Sequence, residues 1–318
     1  MRWQKRGLVY VPDGSVGWAK SHAMLPTPWL IDGGPLRVFI GCCDGDMVGR
    51  IGFVDLDPTE PTRVLRISDK PVLDIGVEGA FDDSGVIPSS VIQRDGKVWL
   101  YYVGFQRGVR VRYFMFSGLA VSEDGGETFA RFSEAPVLDR VDGEIVARTA
   151  PYVRRGGGGW RVWYVGGDRF IEVRHKQVPT YTLRSLQSAD ATSWRGTGRS
   201  LFGFGSADEY GFGRPWILDT RGGYQMWYSI RSVNLGYRLG FATSADGEVW
   251  HRRDHEVGLD VSESGWDADM ICYASVVVTD RNAFLFYNGN DYGRTGFGVA
   301  IAPAADLAAT DSRRDHDA

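Results

Sequence analysis

Cysteine is scarce: Cys42, Cys43 and Cys272 are the only three among 318 residues. So sparse and odd a set excludes a disulfide framework. Together with the missing apolar signal core in the opening MRWQKRGLVYVPDG, it predicts a reducing, cytoplasmic setting. No window holds 18 apolar residues, so no membrane span is predicted. No Lys/Arg-rich run occurs, and the net charge is -4 with a pI of about 5.8, which argues against a nucleic-acid partner. His175, His251 and His255 lack ligand spacing with cysteines or acids, and adjacent Cys42 and Cys43 face opposite ways on a strand, so no metal is expected. The glycine run 156–159 has no helix after it to hold a phosphate, and no cofactor motif appears. Nothing in the sequence sets an oligomeric state. A helical period of 3.6 residues is also missing between the apolar segments.

What is present is glycine, 42 residues, and aromatics, 13% of the chain. That balance suits many short strands joined by tight turns. A small or proline-containing step into an apolar strand recurs at LPTPWLI, IPSSVIQ, RTAPYVR, FGRPWIL and CYASVVV, with Pro28, Ser90, Pro151, Pro215 and Ser275 as anchors. The spacing is about 62 residues. Each copy leads to an aromatic-rich second strand (LRVFIGC, VWLYYVG, WRVWYVGG, YQMWYSI, AFLFYNGN) and then to a third. This is the content of a propeller blade. The expected fold is all-β: one five-bladed β-propeller over residues 1–303, its ring closed by the N-terminal strand, with a disordered tail over 304–318. A second repeat, SEDGGETF, SADATSW and SADGEVW, follows three of the third strands. Its Asp and Gly suit hairpin turns.

In such a ring the first strand of each blade lines the axis, so residues just upstream of the anchors meet from different blades. His22, Asp83, Glu144, Glu209 and Asp269 lie there. Paired carboxylates are the equipment of glycosidic bond cleavage, one as acid and one as base or nucleophile. Asp83, Glu144, Glu209 and His22 are therefore the expected catalytic groups. Arg148, Arg214, Asp269, Tyr273, Asn288, Asn290 and Arg169 are expected to bind substrate, and Trp18 and Trp266, in loops, to stack on sugar rings.

FDDSGVIPSSVI followed by WLYYVG resembles blade sequences of the arabinanase, invertase and levansucrase superfamily, that is, glycoside hydrolase families 43, 32 and 68 and the related mannoside phosphorylases of family 130. SEDGGETF resembles the Asp-box of sialidases and related propellers, a folding element. The first resemblance implies a carbohydrate substrate and acidic residues at the axis. The chain departs from the hydrolytic pattern: the first blade carries His22 where invertase-like members carry Asp, and the third has neither Arg-Asp-Pro nor Glu-Cys. A glycosidase-like enzyme is the first expectation. The alternatives are a glycosyl-transferring or phosphorolytic enzyme of surface-polysaccharide metabolism and a non-catalytic sugar-binding propeller.

Overall fold

The computed structural model describes residues 2–156 and 158–307. It is all-β, with twenty strands in chain order. The first, β1 (Gln4–Tyr10), stands apart from its sequence neighbours. Then come β2 (Ser21–Leu30), β3 (Leu36–Cys43), β4 (Gly49–Leu56) and β5 (Val64–Ile67). The next group is β6 (Val86–Arg94), β7 (Lys97–Arg107), β8 (Tyr113–Ser122) and β9 (Ala130–Arg131). It is followed by β10 (Ala147–Gly156), β11 (Gly159–Val173), β12 (Lys176–Ser188) and β13 (Arg199–Ser200). After these run β14 (Glu209–Thr220), β15 (Gly223–Ser232), β16 (Arg238–Ser244) and β17 (His251–Arg252). The chain closes with β18 (Cys272–Val278), β19 (Asn282–Asn288) and β20 (Phe297–Pro303).

Each group is an antiparallel meander, and β1 pairs with β20 at the edge of the last. The outer strands β9, β13 and β17 are two residues long, so they leave almost no sequence signal. The expected tail begins at residue 304. Residues 304–307 form a 3-10 turn with Leu307 buried, and the remainder of that segment lies outside the described residues. No helix among the described residues is long and apolar enough to cross a membrane.

The second strands explain the packing. Along β7 side chains alternate between faces. Val98, Leu100 and Tyr102 pack with Phe39 and Phe53 of the preceding meander, while Tyr101 and Trp99 pack with Val162 and Tyr164 of the following one. In β19, Leu285 joins Trp227 of the preceding meander, and Phe284 and Phe286 join Val38 and Ile40 of β3. Both faces are buried, which is why these strands read as unbroken apolar runs instead of alternating ones.

First strands are irregular at one level. Their pairing with the second strands slips near Leu25, Ala150, Arg214 and Tyr273. Those four residues have φ of 50°, 50°, 30° and 57°. Side-chain-bearing residues avoid this region, so the surroundings must hold them there. One such contact is Arg214. Its guanidinium donates to Tyr273 O (2.9 Å), Pro26 O (2.9 Å), Thr27 Oγ1 (2.8 Å) and Ser89 O (3.3 Å). Ser275 Oγ also donates to Pro26 O at 2.6 Å, and Ser89 and Ser90 hydroxyls each donate to Pro151 O at 2.8 Å. First strands from all five groups are thus cross-linked by buried side chains. Arg214 is 1% exposed and lacks a carboxylate partner among the described residues, and burial pulls its pKa down to about 9, still a cation at neutral pH. Removing it strands several buried acceptors. Arg214→Met should destabilise the protein by about 3 kcal/mol, read as a lower midpoint in urea.

The SEDGGETF-type repeats form closed turns. Ser122, Ser188 and Ser244 hydroxyls donate to Asp124, Asp190 and Asp246. Backbone N–H groups of Thr192 and Ser193, and of Val249 and Glu248, hold Asp190 and Asp246 at about 2. For Asp124 burial pushes upward, but the Thr128 and Ser122 hydroxyls win and leave it at about 2 as well. A carboxyl depressed on folding contributes stability above its unfolded pKa of about 3.9 and loses it as pH falls toward 2. Denaturation midpoints should therefore fall between pH 4 and pH 2. Asp190→Asn should flatten part of that fall.

Candidate functional site at the strand-entry end

Starts of first and third strands and ends of second strands share one end of the sheets. Parallel contacts join neighbouring meanders there: Met115 and Phe116 of β8 with Ala147 and Arg148 of β10, and Tyr181 of β12 with Gly211 of β14. That geometry brings together Tyr113, Tyr181, Tyr210, Tyr237, Tyr273 and Tyr292 around Arg231. The Arg231 Cζ lies 4.5 Å from the Tyr210 ring centroid, 4.8 Å from that of Tyr181 and 5.8 Å from that of Tyr237. Tyr237 packs on Tyr273 (5.9 Å) and edge-on to Tyr292 (5.4 Å). Tyr113 and Tyr292 also lie within the electrostatic reach of this group. Burial pushes the Tyr181, Tyr237 and Tyr273 hydroxyls well up, so they stay neutral phenols. Tyr292 is 46% exposed and Tyr273 and Tyr210 are half-buried, so part of the cluster meets solvent.

His22, on β2, stands beside it. The turn Asn290–Gly293 carries Asp291 and Tyr292 in the left-handed region and packs against β2. Gly293 there approaches the Asn288 amide so closely that a Cβ would fall 2.5 Å from it. Burial and then the Arg294 charge lower the His22 pKa, against an opposing pull from Asp291, so its imidazole is neutral at pH 7. Its Nδ1 shares a 2.8 Å hydrogen bond with Ser21 Oγ.

The expected carboxylates have other attachments. Glu144 is fully buried. It accepts from Tyr164 Oη (2.7 and 2.9 Å), the Gly198 N–H (2.7 Å) and Arg184 (3.3 Å), and pairs with Arg148 Nε at 2.8 Å. Arg148 spends its remaining donors on Asp139 O and Gly196 O. Glu209 is clamped by both terminal nitrogens of Arg252 at 2.8 Å and by the Gly205 N–H. Each finds its partners within its own meander, and no ion pair or hydrogen bond among the described residues joins one to another. Asp83 is half-buried and accepts from the Gly79 N–H and the Ser84 hydroxyl. Asp269 is exposed, and its carboxylate has no partner among the described residues, while its backbone N–H donates to Asn290 Oδ1.

Two curated relatives from Mycobacterium tuberculosis align with nearly the whole chain: "Uncharacterized protein Rv1502" of strain H37Rv and "Uncharacterized protein MT1551" of strain CDC 1551. Each is 34% identical over 301 residues, covering 95% of this chain and 99% of the relative. The chain belongs to the family of these mycobacterial proteins. No protein-family model matches it. Its fold is that of the propeller glycosidases. It matches the structure of a BT0996 complex with RGII with a TM-score of 0.73 at 19% identity, over 98% of this chain and 94% of that one. A structure from the mannoside phosphorylase family GH130 gives 0.72 at 16%, over 97% and 96%. A thermostable family-43 glycoside hydrolase gives 0.67 at 16%, over 91% of each.

In this member of the family several expected ligand contacts are taken up by the scaffold. Trp18 lies flat against β4, where a Cβ on Gly52 would come within 2.3 Å of its ring, and its Nε1 donates to Asp69 O. Trp266 covers Gly289 and Gly298 and packs on Tyr287. Asn288 is buried and accepts from the Leu25 N–H while donating to Ala23 O and Gly296 O, joining β19 to β2. Asn290 fixes the 265–270 loop through Asp269, Met270 and Gly265. Arg169 is exposed and pairs with Asp168. Arg214 lies in the buried cross-links between first strands. Of the expected binding residues only Tyr273 sits in the tyrosine cluster.

Arg231, Tyr113, Tyr181, Tyr210, Tyr237 and Tyr292 are not among the binding residues expected from the sequence. The available signal was a tyrosine at the start of β8, within β12 and just before β16. A fully buried carboxylate held by a tyrosine and two arginines leaves unpaired charge behind when removed. Glu144→Ala should cost about 3–5 kcal/mol, measured by denaturant titration, with Glu144→Gln intermediate.

Proposed function

We propose that this chain is a five-bladed β-propeller, closed by β1, that binds a carbohydrate at its axial mouth and acts on it in the manner of a glycosidase. Two observations support the ring. Apolar clusters link each meander to the next and the last to the first, through Phe284 and Phe286 against Val38 and Ile40. First strands from every meander converge on the same buried cross-links.

The single observation that carries the ligand site is the tyrosine cluster around Arg231. Aromatic faces beside hydrogen-bonding hydroxyls suit the mixed apolar and polar surface of a sugar. Acid–base work falls to His22, Asp83 and Asp269, because Glu144 and Glu209 have spent their oxygens on structural donors. The same saturation favours a second reading, a sugar-binding propeller without turnover.

Glycan-array screening followed by calorimetry tests the site. A carbohydrate should bind, and Tyr273→Ala should weaken it roughly tenfold or more, in keeping with the loss of one stacking face. Failure of every glycan to bind the folded protein overturns the proposal. Incubation of the bound glycan with and without phosphate then separates the readings. Cleavage in water supports the glycosidase, phosphate-dependent cleavage a phosphorylase, and binding without turnover the second reading.

A further inference from the structure

Arg231 is 6% exposed, yet it has no carboxylate partner among the described residues. Its Nη1 donates to Pro179 O at 2.8 Å, and its Nε is buried without an acceptor. No acceptor for Nη2 is found among the described residues. Burial keeps Tyr181, Tyr237 and Tyr273 neutral, so none of these three is its counter-ion. Of the acids in adjoining segments, Glu209 is committed to Arg252, Asp168 to Arg169 and Asp208 to Asn234, while Asp269 and Asp291 are exposed and form no ion pair with Arg231 among the described residues. A desolvated cation with spare donors is costly unless something of opposite charge completes it. Aromatic faces offset part of that cost but leave the N–H groups unfilled.

More uncompensated positive charge lies close by. Arg112 is exposed, stands 5.9 Å from the Tyr113 ring, and has no acidic partner among the described residues. Arg294 is exposed and near enough to His22 to depress its pKa. These arginines add to the attraction of Arg231 for an anion, offset in part by the exposed Asp269 and Asp291 at the same end.

Building on the carbohydrate site proposed above, we infer that the ligand is an acidic sugar whose carboxylate pairs with the Arg231 guanidinium inside the tyrosine cage. A carboxylate matches the planar guanidinium through two parallel N–H···O bonds. One buried cation is balanced by a monoanion, whereas a phosphate dianion would bring a second charge into the same cage.

The test uses the full chain with glucuronate- and galacturonate-containing oligosaccharides, their carboxyl-reduced neutral counterparts, and inorganic phosphate, each by calorimetry. A uronate oligosaccharide should bind at least tenfold more tightly than its reduced form, and more weakly as salt rises. Arg231→Gln should abolish that preference, so that the acidic and the neutral forms bind alike. Should Arg231→Gln fail to fold, Arg112→Ala on its exposed loop should still lower uronate affinity severalfold and spare the neutral sugar. Equal binding of acidic and neutral forms, unchanged by either variant, overturns the inference and leaves the carbohydrate site standing. Binding of phosphate with rejection of uronates overturns it in favour of a phosphate subsite. If no sugar of any kind binds, the carbohydrate site itself falls, and this inference with it.

Discussion

A carboxylate locked between a tyrosine hydroxyl and a cation is the interaction on which these sheets depend. Asp82 accepts from Tyr102 Oη and pairs with Arg131. Glu144 does so with Tyr164 and Arg184, Asp254 with Tyr228 and Arg252, and Asp267 with Tyr287 and Lys5. Each tyrosine sits at the same place on its second strand, buried on both sides by neighbouring sheets. Its hydroxyl needs an acceptor there, the acceptor is charged, and the charge needs a cation. One requirement forces the next, and the chain that results pins a loop or an outer strand to the middle of each sheet. The first meander has Ile40 at the equivalent position. There Arg37 joins Asp55 and Glu127, across to the next sheet.

This device explains why Asp82, Glu144 and Asp267 recur at sheet entrances, each committed within its own sheet. In three cases the carboxylate lies 20 residues before its tyrosine. A functional cluster of the same acids would show the same period, so periodicity alone cannot separate the two. The paired tyrosine is what decides, and it was visible in the sequence as the aromatic of each second strand. In the fourth meander Asp208 occupies the position 20 residues before Tyr228 but bonds Asn234, while Asp254, from the far side, takes the tyrosine. Such exchange is invisible without coordinates.

The strand order was legible because apolar runs, anchors and turn residues all repeat together. The SEDGGETF turns were legible for a similar reason: their serine, aspartate and glycine roles are local. The site was much less so. Glu144, Arg148, Arg214 and Asn288 are chemically suited to sugar binding, yet each is consumed by backbone oxygens or N–H groups from distant segments. The residues that do cluster, such as Tyr113, Tyr181 and Tyr237, look like ordinary β-strand tyrosines. Only the parallel contacts between the third strand of one meander and the first of the next bring them to a common place.

Pairing of β1 with β20 joins segments almost 300 residues apart, Gln4 opposite Ile301. During synthesis β1 must wait, with its ladder groups unpaired, until β20 has left the ribosome. Its burial pattern suits that wait: exposed and half-buried side chains alternate along it, Lys5 and Arg6 included, so it offers little to stray partners. This sheet therefore cannot be completed until every strand between β1 and β20 has been made, unlike the other meanders, whose strands follow one another directly.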